Sequence, residues 1–308
     1  MIRIEGFTKR FGELEAVHDL SLRVPEGVIF GLIGPNGAGK TTTFRFLATL
    51  LKPTSGRAFI NGVDVVKNYA QVRRLIGYMP DEIGVYEGMR VSEYLDFFAA
   101  AYGIPLRKRP GLIKDVLDLL DLTVKRDDFV EGLSRGMRQR LALAKTLLHD
   151  PKALILDEPA SGLDPRARLE IKELLKELRR MGKTIIISSH ILTELADLCD
   201  HIGILERGRL LAAGPMDEIR KTIRQHRVIE ITLASAQEGW ADFLGAEPNV
   251  LSWEVSGTVA RVDYAGAEES LVDFHRALIE RGLPVLWMRE IETDLEEVFL
   301  RVTKGEVA

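Results

Sequence analysis

The nine residues Gly34–Thr42, GPNGAGKTT, constrain this chain more than any other stretch. They match G-x-x-x-x-G-K-[ST] and follow the apolar run VIFGLIG. The segment TTTFRFLATLL comes next, and its Phe44, Leu47, Leu50 and Leu51 fall on one helical face. The order is therefore strand, glycine-rich turn, helix. In such a turn, spanning Gly34, Pro35, Asn36, Gly37, Ala38 and Gly39, the glycines let backbone N–H groups converge on phosphate oxygens. Lys40 adds a mobile positive charge, and the Thr41 hydroxyl, with Thr42 beside it, can meet Mg²⁺. An ordinary glycine turn before a helix is the competing reading, and the strand and helix on either side weigh against it.

The rest of the chain supplies partners for that turn. Asp157 and Glu158 end the apolar run ALILDE, which places two carboxylates at the carboxyl edge of a parallel sheet, where ligands of open α/β sheets collect. Asp157 suits Mg²⁺, and Glu158 suits a general base that activates water against a γ-phosphate. His190 closes a second such run, TIIISSH. The amphipathic ARLEIKELLKELRRMG between them reads as a crossover helix stopped by Gly182. Residues 1–30 alternate in short runs that read as strands, about 85–150 as a helical insert, and HIGILERGRLLAAG as a hairpin turning at Arg207-Gly208. Two short pieces stand out besides: Leu133–Met137 (LSRGM), which opens a helix where Ser134 can cap and accept an anion, and Ser161–Asp164 (SGLD), just after the paired carboxylates.

The chain has 308 residues, enough for about two domains at roughly 150 residues each. The expected division is a nucleotide-binding domain over 1–222 and a small α+β domain over 226–308. In the second, strand VIEITL, helix GWADFL, strands LSWEVS and VARVDYA, helix ESLVDFHRALIERG, strand PVLWMRE and helix DLEEVFLRVT resemble a ferredoxin-like unit with an added helix. Trp240, Trp253 and Trp287 are expected to be packing residues. A net charge of −4 argues against a nucleic-acid partner. The one cysteine, Cys199, forms no disulfide within the chain and fits a reducing compartment. The start of the chain does not read as a signal peptide. The weakly polar run FFAAAYGIPL falls short of the roughly 18–20 residues that span a bilayer.

Taken together, GPNGAGKTT, LILDE, LSRGM, SGLD and His190 resemble the ATP-binding subunit of an ATP-binding cassette (ABC) transporter, over about residues 1–220. The tail resembles more weakly the accessory domain of exporter-type (ABC-2) subunits. The resemblance implies a P-loop ABC cassette: a mainly parallel core sheet, an antiparallel β subdomain and a helical insert. It also implies an ATPase using ATP and Mg²⁺, a separate integral-membrane permease, a second copy of this or a related subunit, and a place on the cytoplasmic face of the membrane. Residue by residue, it implies Phe11 stacking on adenine, Gly34–Thr42 on the phosphates, and Thr41 and Asp157 at the metal. Glu158 and His190 become the catalytic pair. Ser134 and Gly136 complete the nucleotide site of the other copy, and Asp164 of SGLD is a further nucleotide-binding residue. The usual LSGGQ is LSRGM here, with Arg135 and Met137 replacing Gly and Gln, and Asp81 stands where the family carries a glutamine that approaches Mg²⁺. The rival readings are a soluble ABC ATPase that remodels a ribosomal or nucleic-acid complex, and a regulatory module without turnover. The accessory domain is expected to serve dimerisation or regulation.

Overall fold

A computed structural model of the chain describes residues 1–82, 84, 88–218, 227–237, 239–266 and 268–291. It divides into two compact units, Met1–Gly214 and Pro215–Ala308. The sequence-expected boundary near residue 222 and the final segment DLEEVFLRVT lie outside the described residues.

The first unit is built on two sheets. Strands β1 (Ile2–Phe11), β2 (Leu14–Val24), β4 (Ser55–Ile60) and β5 (Val63–Asp64) form an antiparallel sheet in the order β2-β1-β4-β5. The second sheet has six strands: β3 (Ile29–Ile33), β6 (Ile76–Met79), β7 (Ala153–Leu156), β8 (Thr184–Ser189), β9 (His201–Glu206) and β10 (Arg209–Pro215). Its order is β10-β9-β3-β8-β7-β6, and the β9-β3, β3-β8, β8-β7 and β7-β6 pairings are all parallel. Every residue of β3, β7 and β8 is buried. Continuous apolar runs such as IFGLI and ALIL suit central parallel strands covered on both faces. Ile2, Phe7, Phe30, Phe44 and Phe46 belong to one core cluster between the sheets, with Phe7 and Phe46 stacked at 4.1 Å.

Helix α1 (Lys40–Leu47) follows β3, and α2 (Tyr69–Leu75) precedes β6. The helical insert consists of α3 (Val91–Ala101), α4 (Arg109–Leu119) and α5 (Arg135–Leu147). Helix α6 (Pro165–Arg180) crosses from β7 to β8, and the short α7 (Leu192–Ala196) leads to β9. Gly182 lies just beyond α6 at φ 85°, a left-handed stop that glycine adopts without strain. One expectation needs correction: α1 ends at Leu47. Thr49 turns the chain at φ 63°, and Leu50 is exposed, so the helical stripe stops one turn earlier than its apolar spacing suggests.

The second unit carries β11 (Arg227–Leu233), α8 (Trp240–Ala246), β12 (Val250–Ser256), β13 (Val259–Tyr264), α9 (Glu268–Glu280) and β14 (Val285–Ile291). Its antiparallel sheet runs β12-β13-β11-β14, the ferredoxin-like order. Ile229, Ile231, Val262, Tyr264, Phe274 and Leu278 form its core. Of the three tryptophans only Trp240 is buried. Trp253 lies against Gly245. Trp287 is 69% exposed: it lies opposite in alternation to Met288, which packs on the core, and a register shift between Trp287 and Val285 in the pairing with β11 lets Val285 pack on that core as well.

Candidate functional site

Gly34–Gly39 occupy the turn between β3 and α1, where the sequence places a phosphate-binding loop. Two of its glycines have a structural reason. A Cβ at Gly34 would overlap the carbonyl of Leu205, the next strand's backbone, and Gly39 holds φ 104° as the residue that starts α1. The Lys40 ammonium, 6% exposed, donates to the Gly34 carbonyl at 2.6 Å and lies 3.5 Å from Oε1 of Glu158. Phosphate oxygens entering the loop would compete for that ammonium.

The parallel sheet brings the ends of β7 and β8 beside this turn. Asp157 is fully buried; its Oδ1 accepts from the Ser188 hydroxyl at 2.6 Å, while Oδ2 has no hydrogen-bond partner. A buried carboxylate oxygen left unpaired is costly, and a divalent cation would satisfy it. Burial, with the Asp157 charge second, pushes the Tyr78 phenol up from its ordinary value, while Arg45 opposes the shift. Glu158 holds φ 48°, a region few non-glycine residues occupy. Its backbone N–H donates to Ser188 Oγ at 2.9 Å, and its Oε2 lies 3.1 Å from Nδ1 of His190. The structure thus gathers Lys40, Glu158 and His190 into one chain of polar contacts.

An open cleft of about 320 Å³ is lined by Phe11, the loop residues Pro35–Gly39, Lys40, Thr41, Thr42, Asp81 and Glu158, among others. Phe11 is half exposed, with the Lys9 ammonium 4.9 Å from its ring centre. Asp81 is exposed at the cleft's edge. Among the described residues no cluster of three or more His, Cys, Asp or Glu side chains forms a metal cage. Thr41 and Asp157 nevertheless fit Mg²⁺, which takes few protein ligands and shares phosphate oxygens.

Ser134, Gly136 and Asp164 do not line this cleft. Ser134 starts α5 and its Oγ accepts from the Met137 N–H at 3.3 Å; Asp164 starts α6 and accepts from the Ala167 N–H at 2.9 Å. The Arg135 guanidinium lies over Gly162, filling the space a side chain there would need. Sequence reading missed two buried polar residues, Ser188 and Gln139. Gln139, in α5, donates to the Pro159 carbonyl at 2.7 Å and so holds the turn after Glu158. A polar residue inside an otherwise apolar helix face or strand was the available signal.

Known proteins share this chain's sequence pattern and fold. The sequence model of the family described as ABC transporter matches residues 17–161. The bacitracin transport ATP-binding protein BcrA of Bacillus licheniformis is 35% identical, over 99% of this chain and 98% of its own. The Nod factor export ATP-binding protein I of Ralstonia nicotianae is 36% identical, over 100% of this chain and 95% of its own. Among solved structures, an ATP-binding subunit of an ABC transporter superposes with a TM-score of 0.66 at 30% identity, covering 73% of this chain and 93% of the other. A dimeric bacterial ABC transporter cassette gives 0.64 at 25% identity, covering 70% and 99%. With a cleft lined by its glycine-rich loop, Asp81 and Glu158, and relatives aligned along nearly its full length, the chain belongs to the ATP-binding subunits of ABC transporters, ATPases that pair up and drive transport through a membrane permease.

Proposed function

We propose that two copies of this chain pack head to tail, so that each ATP is held by Gly34–Thr42 of one copy and by Ser134 and Gly136 of the other. The observation that carries this reading is the separation just described: Lys40, Thr41 and Glu158 share a cleft that Ser134, Gly136 and Asp164 do not enter. A second copy would bring the free N–H groups at the start of α5 to the phosphates. Phe11 would stack on the adenine. Mg²⁺, held by Thr41 and Asp157 with Asp81 at the edge, would neutralise charge on the β and γ phosphates. As Lys40 moves to the phosphates, Glu158 is released to orient and deprotonate the attacking water, with His190 holding its carboxylate. Closing of the pair on ATP and its reopening after hydrolysis are the mechanical output.

No helix among the described residues is long and apolar enough to cross a membrane. A separate permease would dock on the region from Asp81 to Tyr102, where Phe97 and Tyr102 present exposed aromatic surface. The ATPase pair would then sit on the cytoplasmic face. Relatives named for bacitracin transport, Nod factor export and daunorubicin resistance support export as the direction. They also weigh against a soluble remodelling role. The test is Glu158→Gln. It should bind ATP as the parent does, lose about 10²–10⁴ of turnover and accumulate as an ATP-bound dimer. Turnover at the parent rate would refute the assigned role.

A further inference from the structure

Outside the nucleotide cleft, a continuous set of polar contacts joins the SGLD loop to the loop that carries His190. Arg168, in the first turn of α6, divides its guanidinium: Nη2 donates to the Leu163 carbonyl at 3.3 Å, and Nη1 lies 2.8 Å from Oε1 of Glu194 in α7. The other oxygen of Glu194 accepts from the Ser189 hydroxyl at 3.2 Å. That same hydroxyl accepts the Ile191 N–H at 3.0 Å. Ser189 and Ile191 bracket His190, and Leu163 is the buried third residue of SGLD. Two backbone loops, distant in sequence, are therefore tied through one ion pair.

The chemistry favours a link that fixes position. The Glu194 side chain is 11% exposed and that of Arg168 34% exposed, so each charge gives up water to make the pair. Well-packed apolar side chains would fasten α6 to α7 about as firmly. What a planar guanidinium adds is geometry, with fixed donors meeting a carbonyl on one side and a carboxylate on the other. We propose that the Arg168–Glu194 pair is a positioning link that makes the seating of His190 against Glu158 depend on where the SGLD loop sits. The inference rests on the head-to-tail reading above and adds to it that SGLD meets the second copy. Arrival of that copy would then reach His190 through Leu163, Arg168, Glu194 and Ser189, and neither Arg168 nor Glu194 need touch nucleotide.

The test is steady-state ATP hydrolysis by the full chain with Mg²⁺, comparing the parent with Arg168→Ala, Glu194→Gln, their double variant and Arg168→Lys. Misplacing a reacting group by about 1 Å costs on the order of a hundredfold, so each of the first two substitutions should lower kcat by about tenfold to a hundredfold. KM for ATP should stay within about twofold, because the phosphate contacts remain. The double variant should be no slower than the slower single one, since both break the same link. Arg168→Lys should recover part of the rate, because a point charge can reach the carboxylate or the carbonyl but not both at once. Glu194→Gln keeps shape and volume and so separates positioning from misfolding. Turnover at the parent rate in Glu194→Gln, losses that multiply in the double variant, or a raised KM with unchanged kcat would each overturn the link. A parent chain that hydrolyses no ATP would instead overturn the underlying reading.

Discussion

Lys40 and Glu158 show how one position can be both constrained and poised. Glu158 holds a left-handed backbone conformation, which costs on the order of 1–3 kcal/mol. Ser188 from β8 accepts its N–H, and Gln139 from α5 holds the next carbonyl, so neighbouring elements maintain it. Its carboxylate meets Lys40 on one oxygen and His190 on the other. Lys40→Ala removes a charge-assisted contact to phosphate worth about 1.5–3 kcal/mol. Its ATP dissociation constant, measured by calorimetry, should therefore rise roughly ten- to a hundredfold, and unchanged affinity would contradict the assignment. The residues of this site that sequence reading named are those with a motif or a strand-end position. Ser188, Gln139, Arg168 and Glu194 carry no such mark, since their roles depend on which loop the fold brings within 3 Å or so of them.

At the scale of elements, segments with a helical period or an unbroken apolar run were legible and those without were not. The helices α3, α5 and α6 and the strands β7 and β8 follow from apolar spacing, and the hairpin of β9 and β10 from its Arg207-Gly208 turn. Between Ser55 and Met79, by contrast, β4, β5, α2 and β6 are each seven residues or fewer. Partners far along the chain, β1 for β4 and β7 for β6, define those two strands, and local pattern does not. Helix packing also sets a pH response. At the end of α5, His149 stacks on Tyr102 at 4.0 Å and its Nε2–H donates to the Ile76 carbonyl at 2.8 Å. Burial holds its pKa below the ordinary 6.5, with Lys183 adding to the shift and the Ile76 contact and Asp150 opposing it. Below about pH 6.5 the unfolded chain gains a proton there that the folded chain resists. The stability this residue contributes is thus complete above that pH and is lost as pH falls toward the lowered folded value. In chemical denaturation, His149→Gln should lose stability less steeply than the parent between about pH 6.5 and 5.5. Equal slopes would contradict that account.

At the scale of the whole molecule, each unit has its own core, one around Phe7, Phe44 and Phe46 and the other around Tyr264 and Phe274. All the nucleotide residues belong to the first. A chain ending at residue 222 should therefore bind ATP with the parent's affinity. If the second unit strengthens pairing, that shorter chain should form its ATP-dependent dimer only at higher protein concentration, which sedimentation velocity would read. An unchanged dimerisation constant and ATPase rate would remove that role. The central claim, that one ATP is shared between two copies, is tested most directly by the mass of Glu158→Gln with and without Mg²⁺-ATP. A monomer without nucleotide and a dimer retaining two ATP with it is the expected result; a chain that stays monomeric at saturating ATP would contradict it.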